Sequence, residues 1–155
     1  MILGEFSRKI DDRYRLSLPT ELTDLFQPKS GKCIIAKERP GCLSLWEQEV
    51  WQTKLDESLA IVQSKVKAHK LEDRIPELQM FGRLLSTRQM PVELEERGRF
   101  RLPEGFREFI GVEPKNAVMV VGAAVCIEIW HPQKWIDYVN EGITEFQQLL
   151  ENLSH

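Results

Sequence analysis

Shifted by 84 positions, the chain matches itself. Arg13 falls on Arg97, Arg15 on Arg99, Leu18 on Leu102 and Pro19 on Pro103, while Cys42 falls on Cys126, Trp46 on Trp130 and Trp51 on Trp135. The frame runs without a gap from Lys9–Glu57 onto Glu93–Glu141. The chain has 4 tryptophans, and all of them lie in the match, which sets it apart from a coincidence of common residues. An internal repeat constrains the fold more than any local pattern does: one supersecondary unit must be built twice.

Each copy opens with an alternating segment. In the first, Ile10, Tyr14, Leu16 and Leu18 share one parity and Arg13, Arg15 and Ser17 the other; in the second, Leu94, Gly98, Phe100 and Leu102 alternate with Arg97, Arg99 and Arg101. A period of two predicts a half-buried strand, apolar in and polar out. Asp12 and Glu96 break the pattern and mark a turn or bulge. Pro19 and Pro103 follow, as residues suited to a first helical position. Leu18, Leu22, Leu25 and Phe26, and likewise Leu102, Phe106, Phe109 and Ile110, predict amphipathic helices of about two turns. "KCIIAKERPGCLSLW" and "AVMVVGAAVCIEIW" each read as two strands about a tight connection, with "RPG" and "GAA" as the turns.

Between the copies, Trp51, Leu55, Leu59, Val62 and Val66 form a helical stripe, and Pro76 opens a second helix carrying Leu78, Phe81 and Leu85. The C-terminus mirrors this with Trp135, Val139, Ile143, Phe146, Leu150 and Leu153. The expected organisation is a first repeat over 5–58, a helical connector over 59–88, a second repeat over 89–141 and a C-terminal helix over 142–155. The expected class is α+β, mainly β.

The 155 residues, 42% hydrophobic and 29% charged, suit a globular protein with a sizeable core. No stretch approaches the roughly 20 apolar residues of a membrane span, and the N-terminus lacks the h-region of a signal peptide, so a cytoplasmic location and no membrane partner are expected. Cys33, Cys42 and Cys126 show no paired spacing, so neither a disulfide framework nor a metal site is expected. No catalytic constellation or cofactor fingerprint appears among His69, His131, His155 and their surroundings, and the expectation is a non-enzyme without cofactors. His131, before Pro132, reads as a surface or capping residue. Cys42 and Cys126 read as small core residues, and the tryptophans as core or interface aromatics.

Two readings of the arginine strands stand side by side. Arginines alternating with acids form a solvated, ion-paired face that discourages edge pairing. Alternatively, Arg13 and Arg15, with Arg8 and Lys9 nearby, and Arg97, Arg99 and Arg101, with Arg107 beyond, are a nucleic-acid interface: guanidinium groups bind phosphate bidentately and grip guanine in the major groove. The net charge of -3 counts against a general nucleic-acid coat and leaves room for a local basic patch.

"DDRYRLSLP" followed by an amphipathic helix resembles the Asp-x-x-Gly-Arg-hydrophobic-x-hydrophobic-Pro signature of AbrB-like swapped-hairpin DNA-binding domains. Two such units, a helical connector, the "LWEQEVW" and "EIWHPQKW" ends and "GRLLS" before the second unit resemble, over nearly the whole chain, the MraZ family of bacterial transcriptional regulators. The resemblance implies hairpins interleaved into one pseudo-symmetric barrel-like unit. It implies a ring-shaped homo-oligomer, nucleoid-associated, on short direct repeats of promoter DNA upstream of its own operon in the division and cell-wall cluster. DNA binding would rest on Arg13, Arg15, Arg97 and Arg99, with Lys9 and Arg101 on phosphates and Asp11, Glu95 and Gly98 supporting the motif. The chain departs from the pattern at Tyr14, which replaces the motif glycine, and at Glu95, which replaces the aspartate. A positive φ at Tyr14 would cost about 1 kcal/mol or more. The rival to DNA binding is an oligomeric protein-interaction module.

Overall fold

Both halves build the same elements in the same order. The computed structural model describes Met1–His155. The first half runs β1 (Ile2–Lys9), β2 (Arg15–Ser17), α1 (Thr20–Thr23), β3 (Lys32–Arg39), β4 (Cys42–Glu47), α2 (Gln48–Lys67) and α3 (Ile75–Thr87). The second runs β5 (Gln89–Glu93), β6 (Arg99–Arg101), α4 (Glu104–Ile110), β7 (Ala117–Ala124), β8 (Ile127–Trp130), α5 (Pro132–Gly142) and α6 (Phe146–Leu153).

The halves are interleaved. Six strands form an antiparallel sheet in the order β1-β7-β8-β4-β3-β5, and β2 pairs with β6 in a separate ribbon. Exchanging the halves reverses this order onto itself, so a pseudo-twofold axis passes between β8 and β4. Ser44 faces its own repeat mate Glu128 there. The axis passes through the ribbon where Leu16 faces its mate Phe100. The main core draws on both halves, including Ile10, Leu16, Leu22, Phe26, Ile35, Phe100, Phe106, Ile110, Val120 and Ile129. Positions 58/59 and 141/142 fall inside α2 and near the end of α5.

Several expectations are corrected. The class is mixed rather than mainly β, because α2, with 20 residues, and α3, with 13, are longer than any strand. The segment from Ile10 to Leu18 is not one strand: a turn at 11–14 separates β1 from β2, as the break at Asp12 suggested. Helix α1 has 4 residues, a single turn, with Leu25 beyond it and 54% exposed. Pro19 and Pro103 are N-cap residues, just outside the helices. The second hairpin turns about Ala124 and Val125, at the end of "GAA" rather than centred on it: Ala124 has φ 65° and the Ala123 N–H donates to the Cys126 carbonyl at 2.9 Å.

The gapless sequence frame is not the structural frame throughout. Cys33 and Ile35 enter the main core from β3, and Val118 and Val120 enter it from β7, a shift of 85. In a strand, a slip of one residue would turn every core side chain to the opposite face. Burial therefore overrides sequence alignment here. An irregularity between Lys37 and Arg39, before the Pro40–Gly41 turn, restores the shift of 84 in β4 and β8.

Strands β1 and β5 carry no repeat signal that sequence reading used, yet they are the two sheet edges. Strand β1 lies close over β7 at Gly122, where a Cβ would sit 2.6 Å from the Ile2 carbonyl oxygen and 2.7 Å from Leu3 Cα. Gly122→Ala is therefore expected to loosen β1, at a cost of about 1–3 kcal/mol. Hydrogen exchange should accelerate across β1 while β3 and β4 keep their protection; unchanged β1 protection would contradict the close approach.

Behind the sheet, matched tryptophan pairs fix the helices. Trp46 and Trp51 lie 5.8 Å apart between ring centroids at 57°, and their mates Trp130 and Trp135 lie 5.3 Å apart at 55°. Cys126 packs with the first pair and Cys42 with the second. Burial pushes the Cys33 and Cys126 thiols up to about 12, so they are inert apolar filling.

Candidate nucleic-acid interface

The arginines meet on the ribbon. Arg15 pairs with Arg101, Leu16 with Phe100 and Ser17 with Arg99. Strand alternation sends Leu16 and Phe100 into the core and leaves Arg15, Ser17, Arg99 and Arg101 on one solvent face. Two hydrogen bonds lock the strand ends across the pseudo-twofold: Leu18 N–H donates to the Gly98 carbonyl at 3.0 Å and Leu102 N–H to the Tyr14 carbonyl at 2.9 Å. Arg13 and Arg97 are not on the strands, as their parity suggested; both sit in the turns that lead into them. Lys9 ends β1, exposed, two residues before Asp11.

The turns share a backbone and differ in side chains. Asp11 N–H donates to the Arg15 carbonyl at 3.0 Å and Tyr14 N–H to the Asp11 carbonyl at 3.1 Å; Glu95 N–H to Arg99 (2.8 Å) and Gly98 N–H to Glu95 (3.1 Å) repeat the pattern. In the first turn, Asp11 Oδ1 accepts the backbone N–H of both Arg13 and Arg15, and Oδ2 accepts Arg15 Nε–H, all at 2.8 Å. Glu95 is one methylene longer and its carboxylate accepts no hydrogen bond; its Oε2 lies 3.9 Å from Arg99 Nε. Only the short aspartate reaches back onto its own turn. Arg15 is held in one geometry, whereas Arg99 is held loosely.

The backbone N–H of Arg15 is the main influence that holds the Asp11 carboxyl below its ordinary 3.8, aided by the Arg13 N–H and the Arg15 guanidinium. The folded value is lowered, so this contribution is present above pH 3.8 and fades as pH falls through the lower folded value. An NMR titration of carboxyl carbons should place Asp11 below 3.8, with the Arg13 and Arg15 amide shifts moving together at the same midpoint. A midpoint at or above 3.8 would contradict the turn.

Position 14 does need a left-handed backbone. Tyr14 has φ 60° and its mate Gly98 φ 66°. Gly98 is also packed close, since a Cβ there would meet Thr23 Cγ2 at 2.7 Å. The mate of Thr23 is Arg107, and its guanidinium lies 4.1 Å from the Tyr14 ring centroid. Arg107 Nε is buried and has no hydrogen-bond partner. The Tyr14–Arg107 stack is the feature that sequence reading missed. The replaced glycine was visible, but its neighbour across the halves was not.

His131 caps α5, its Nδ1 accepting the Gln133 N–H at 3.2 Å. No cluster of three His, Cys, Asp or Glu residues has the arrangement to hold a metal, and no helix is long and apolar enough to cross a membrane.

Residues 87–153 match the family model whose description reads "MraZ protein, putative antitoxin-like". Similar proteins include the "Transcriptional regulator MraZ" of Thermomicrobium roseum, 30% identical over 135 residues, 87% of this chain and 84% of the relative. The same-named proteins of Syntrophomonas wolfei and Clostridium beijerinckii are 26% and 27% identical over 154 residues, 99% of this chain and 96% and 97% of theirs. These matches, nearly end to end and consistent with a doubled arginine turn on interleaved halves, establish that the chain belongs to the MraZ family.

Proposed function

We propose that this protein is a sequence-specific DNA-binding transcriptional regulator that presents the β2–β6 ribbon to duplex DNA. One observation carries the reading: Arg15 and Arg101 face each other directly across the ribbon, with Arg99 on the same face. Like charges in direct opposition destabilise a sheet, and phosphate or a guanine edge relieves that repulsion. A two-stranded ribbon fits the major groove, where arginine reads guanine O6 and N7. Arg15 and Arg99 are the specificity residues, Arg13 and Arg97 assist at the turns, and Lys9 and Arg101 contact phosphate. Asp11, Glu95 and Gly98 shape the turns. The exchange of strands between halves supports an AbrB-like double swapped hairpin. The relatives' names support transcriptional regulation, and the family resemblance points to direct repeats upstream of the protein's own operon, in the division and cell-wall cluster, and to a nucleoid location.

The same reading includes a ring of subunits. Helices α2–α3 and α5–α6 follow the mated strands β4 and β8 and occupy equivalent positions in the two halves. Both leave large apolar side chains in solvent, among them Ile61, Met80 and Leu84 on one pair and Ile136, Phe146 and Leu153 on the other. Two related apolar faces on one chain suit a head-to-tail contact that closes into a ring. Several units linked in this way raise the effective concentration of each further DNA contact. Light scattering should show an assembly larger than a dimer at micromolar concentration.

The test is a gel shift with duplex DNA from upstream of the protein's own gene, run across salt concentrations. Affinity should fall steeply with salt. The exposed apolar helices also suit a protein-interaction module without DNA binding, and indifference to that DNA at low salt would decide for it.

A further inference from the structure

The repeat mates at the ribbon's two ends do not carry equal charge. At the first-repeat turn stand Lys9, Arg13 and Arg15; their mates at the other turn are Glu93, Arg97 and Arg99. The second repeat adds two more cations, Arg101 and Arg107, where the first has Ser17 and Thr23. Antiparallel pairing then decides where these cations go. Arg101 pairs with Arg15, and Arg107 stacks on Tyr14, so both are delivered to the first-repeat turn. Ser17 pairs with Arg99, and Thr23 packs near Gly98, at the other end.

The acids do not offset this. Asp11 and Asp12 match Glu95 and Glu96, Glu104 and Glu108 on α4 match in number Glu21 in α1 and Asp24 at its end, and the further acid near the first end, Glu113, is accompanied by Lys115, whose N–H donates to the Ile10 carbonyl. Of the lysines near the second end, Lys29 has its Nζ 3.3 Å from Glu49, and Lys32 stands opposite Glu93 in the strand register, so that these two charges together add nothing to that end. Arg107, by contrast, forms no ion pair, and its Nε has no hydrogen-bond partner. The first end also has the better-ordered arginine, since Asp11 fixes Arg15 at 2.8 Å while Glu95 stands 3.9 Å from Arg99.

We propose that the first-repeat end of the ribbon, completed by Arg101 and Arg107 from the second repeat, is the dominant phosphate-binding end, so that each pseudo-symmetric unit binds duplex DNA in one fixed direction. This rests on the DNA-binding reading above. It makes Arg107 a DNA-contacting residue and Tyr14 the residue that positions it. Tyr14 holds an unfavourable left-handed φ of 60° while its ring lies against the guanidinium. A unit with a strong and a weak end distinguishes the two orientations of a site, and that suits direct repeats better than palindromes.

The experiment exchanges the unequal residues for those of the other repeat. Binding to duplex DNA from upstream of the gene is measured across salt for the wild type, for Arg101→Ser with Arg107→Thr, and for Arg97→Ala with Arg99→Ala. Serine and threonine already occupy the mated positions, so circular dichroism and assembly size should not change. Each lost phosphate contact lowers the salt slope by about one, so the first variant should lose about two per bound ribbon and weaken tenfold or more. It should weaken more than the Arg97, Arg99 variant does. Adding Ser17→Arg, Thr23→Arg, Lys9→Glu and Glu93→Lys to the first variant, which exchanges every unequal cation and its mate, should restore affinity with the unit reversed, read by cleavage from a tethered iron chelate at one ribbon end. Wild-type binding to DNA that is indifferent to Arg101 and Arg107, or a larger loss from Arg97 and Arg99, overturns the inequality and leaves the DNA reading intact. A wild type that binds no such DNA at low salt overturns both.

Discussion

An Arg15→Ala, Arg99→Ala double variant is expected to lose promoter DNA while remaining folded and assembled. Both guanidinium groups lie on the outer face of the ribbon, so their loss removes no core contact. The first turn survives, because Asp11 Oδ1 is bonded to the backbone N–H groups of residues 13 and 15, which alanine retains. If each arginine grips a base edge, the cost is about 1–3 kcal/mol per site with relaxed specificity; if each grips phosphate, affinity falls evenly across sequences and the salt slope shrinks by about one per arginine. In a ring the loss recurs in every subunit bound, so the whole complex should lose more than one ribbon does. Fluorescence anisotropy against salt separates the two cases, with circular dichroism and light scattering as controls. Near-wild-type affinity in a folded, assembled variant would sink the assignment and leave the interaction-module reading.

Phe100→Ala should produce the largest loss of stability. Phe100 is 2% exposed and faces the fully buried Leu16 where the pseudo-twofold axis crosses the ribbon. Truncating a buried phenylalanine costs about 3–5 kcal/mol, a large part of the roughly 5–15 kcal/mol that holds a domain folded. Both halves lose packing at once, since the ribbon is built from one strand of each. The unfolding midpoint should fall by roughly 6–20 °C, at roughly 2–4 °C per kcal/mol for a chain of this size. Leu16→Ala removes the other side of the same contact, so the double variant should cost less than the sum of the singles. Thermal or urea unfolding followed by circular dichroism reads all three; additive losses would mean that the two side chains do not share one packing site.

Much of the interface could be read from the residues alone. The doubled Arg-x-Arg, the alternation around it and the acid four residues before Arg15 and Arg99 pointed to the two short strands that the structure pairs as one ribbon. The glycine-to-tyrosine change at position 14 was visible in the sequence with its conditional cost; the positive φ that incurs that cost came from the structure. Other features had weak local signals. Strand β5 carries Met90 and Pro91, both exposed, and edge strands need bury little. Leu25 fits the helical stripe in sequence, but α1 ends before it. Arg13 shares the parity of Arg15, yet the turn reaches past it, because the Asp11 carboxylate accepts the N–H groups of residues 13 and 15 and keeps the chain from extending.

The chain's own sequence determined that one unit is made twice, that each unit offers arginines on one face of a strand, and that amphipathic helices follow each hairpin. These are local facts, set by side-chain period, turn chemistry and residue identity along a few residues. Only the tertiary structure decided that β2 finds its partner in β6 and β1 in β7, that β3 and β7 slip by one residue against the repeat, and that Arg101 and Arg107 come to lie beside Arg15 and Tyr14. Partner and register are chosen by burying whole faces against residues far along the chain, and a slip of one residue exchanges core for solvent. The periods that mark a strand do not record which distant strand completes it.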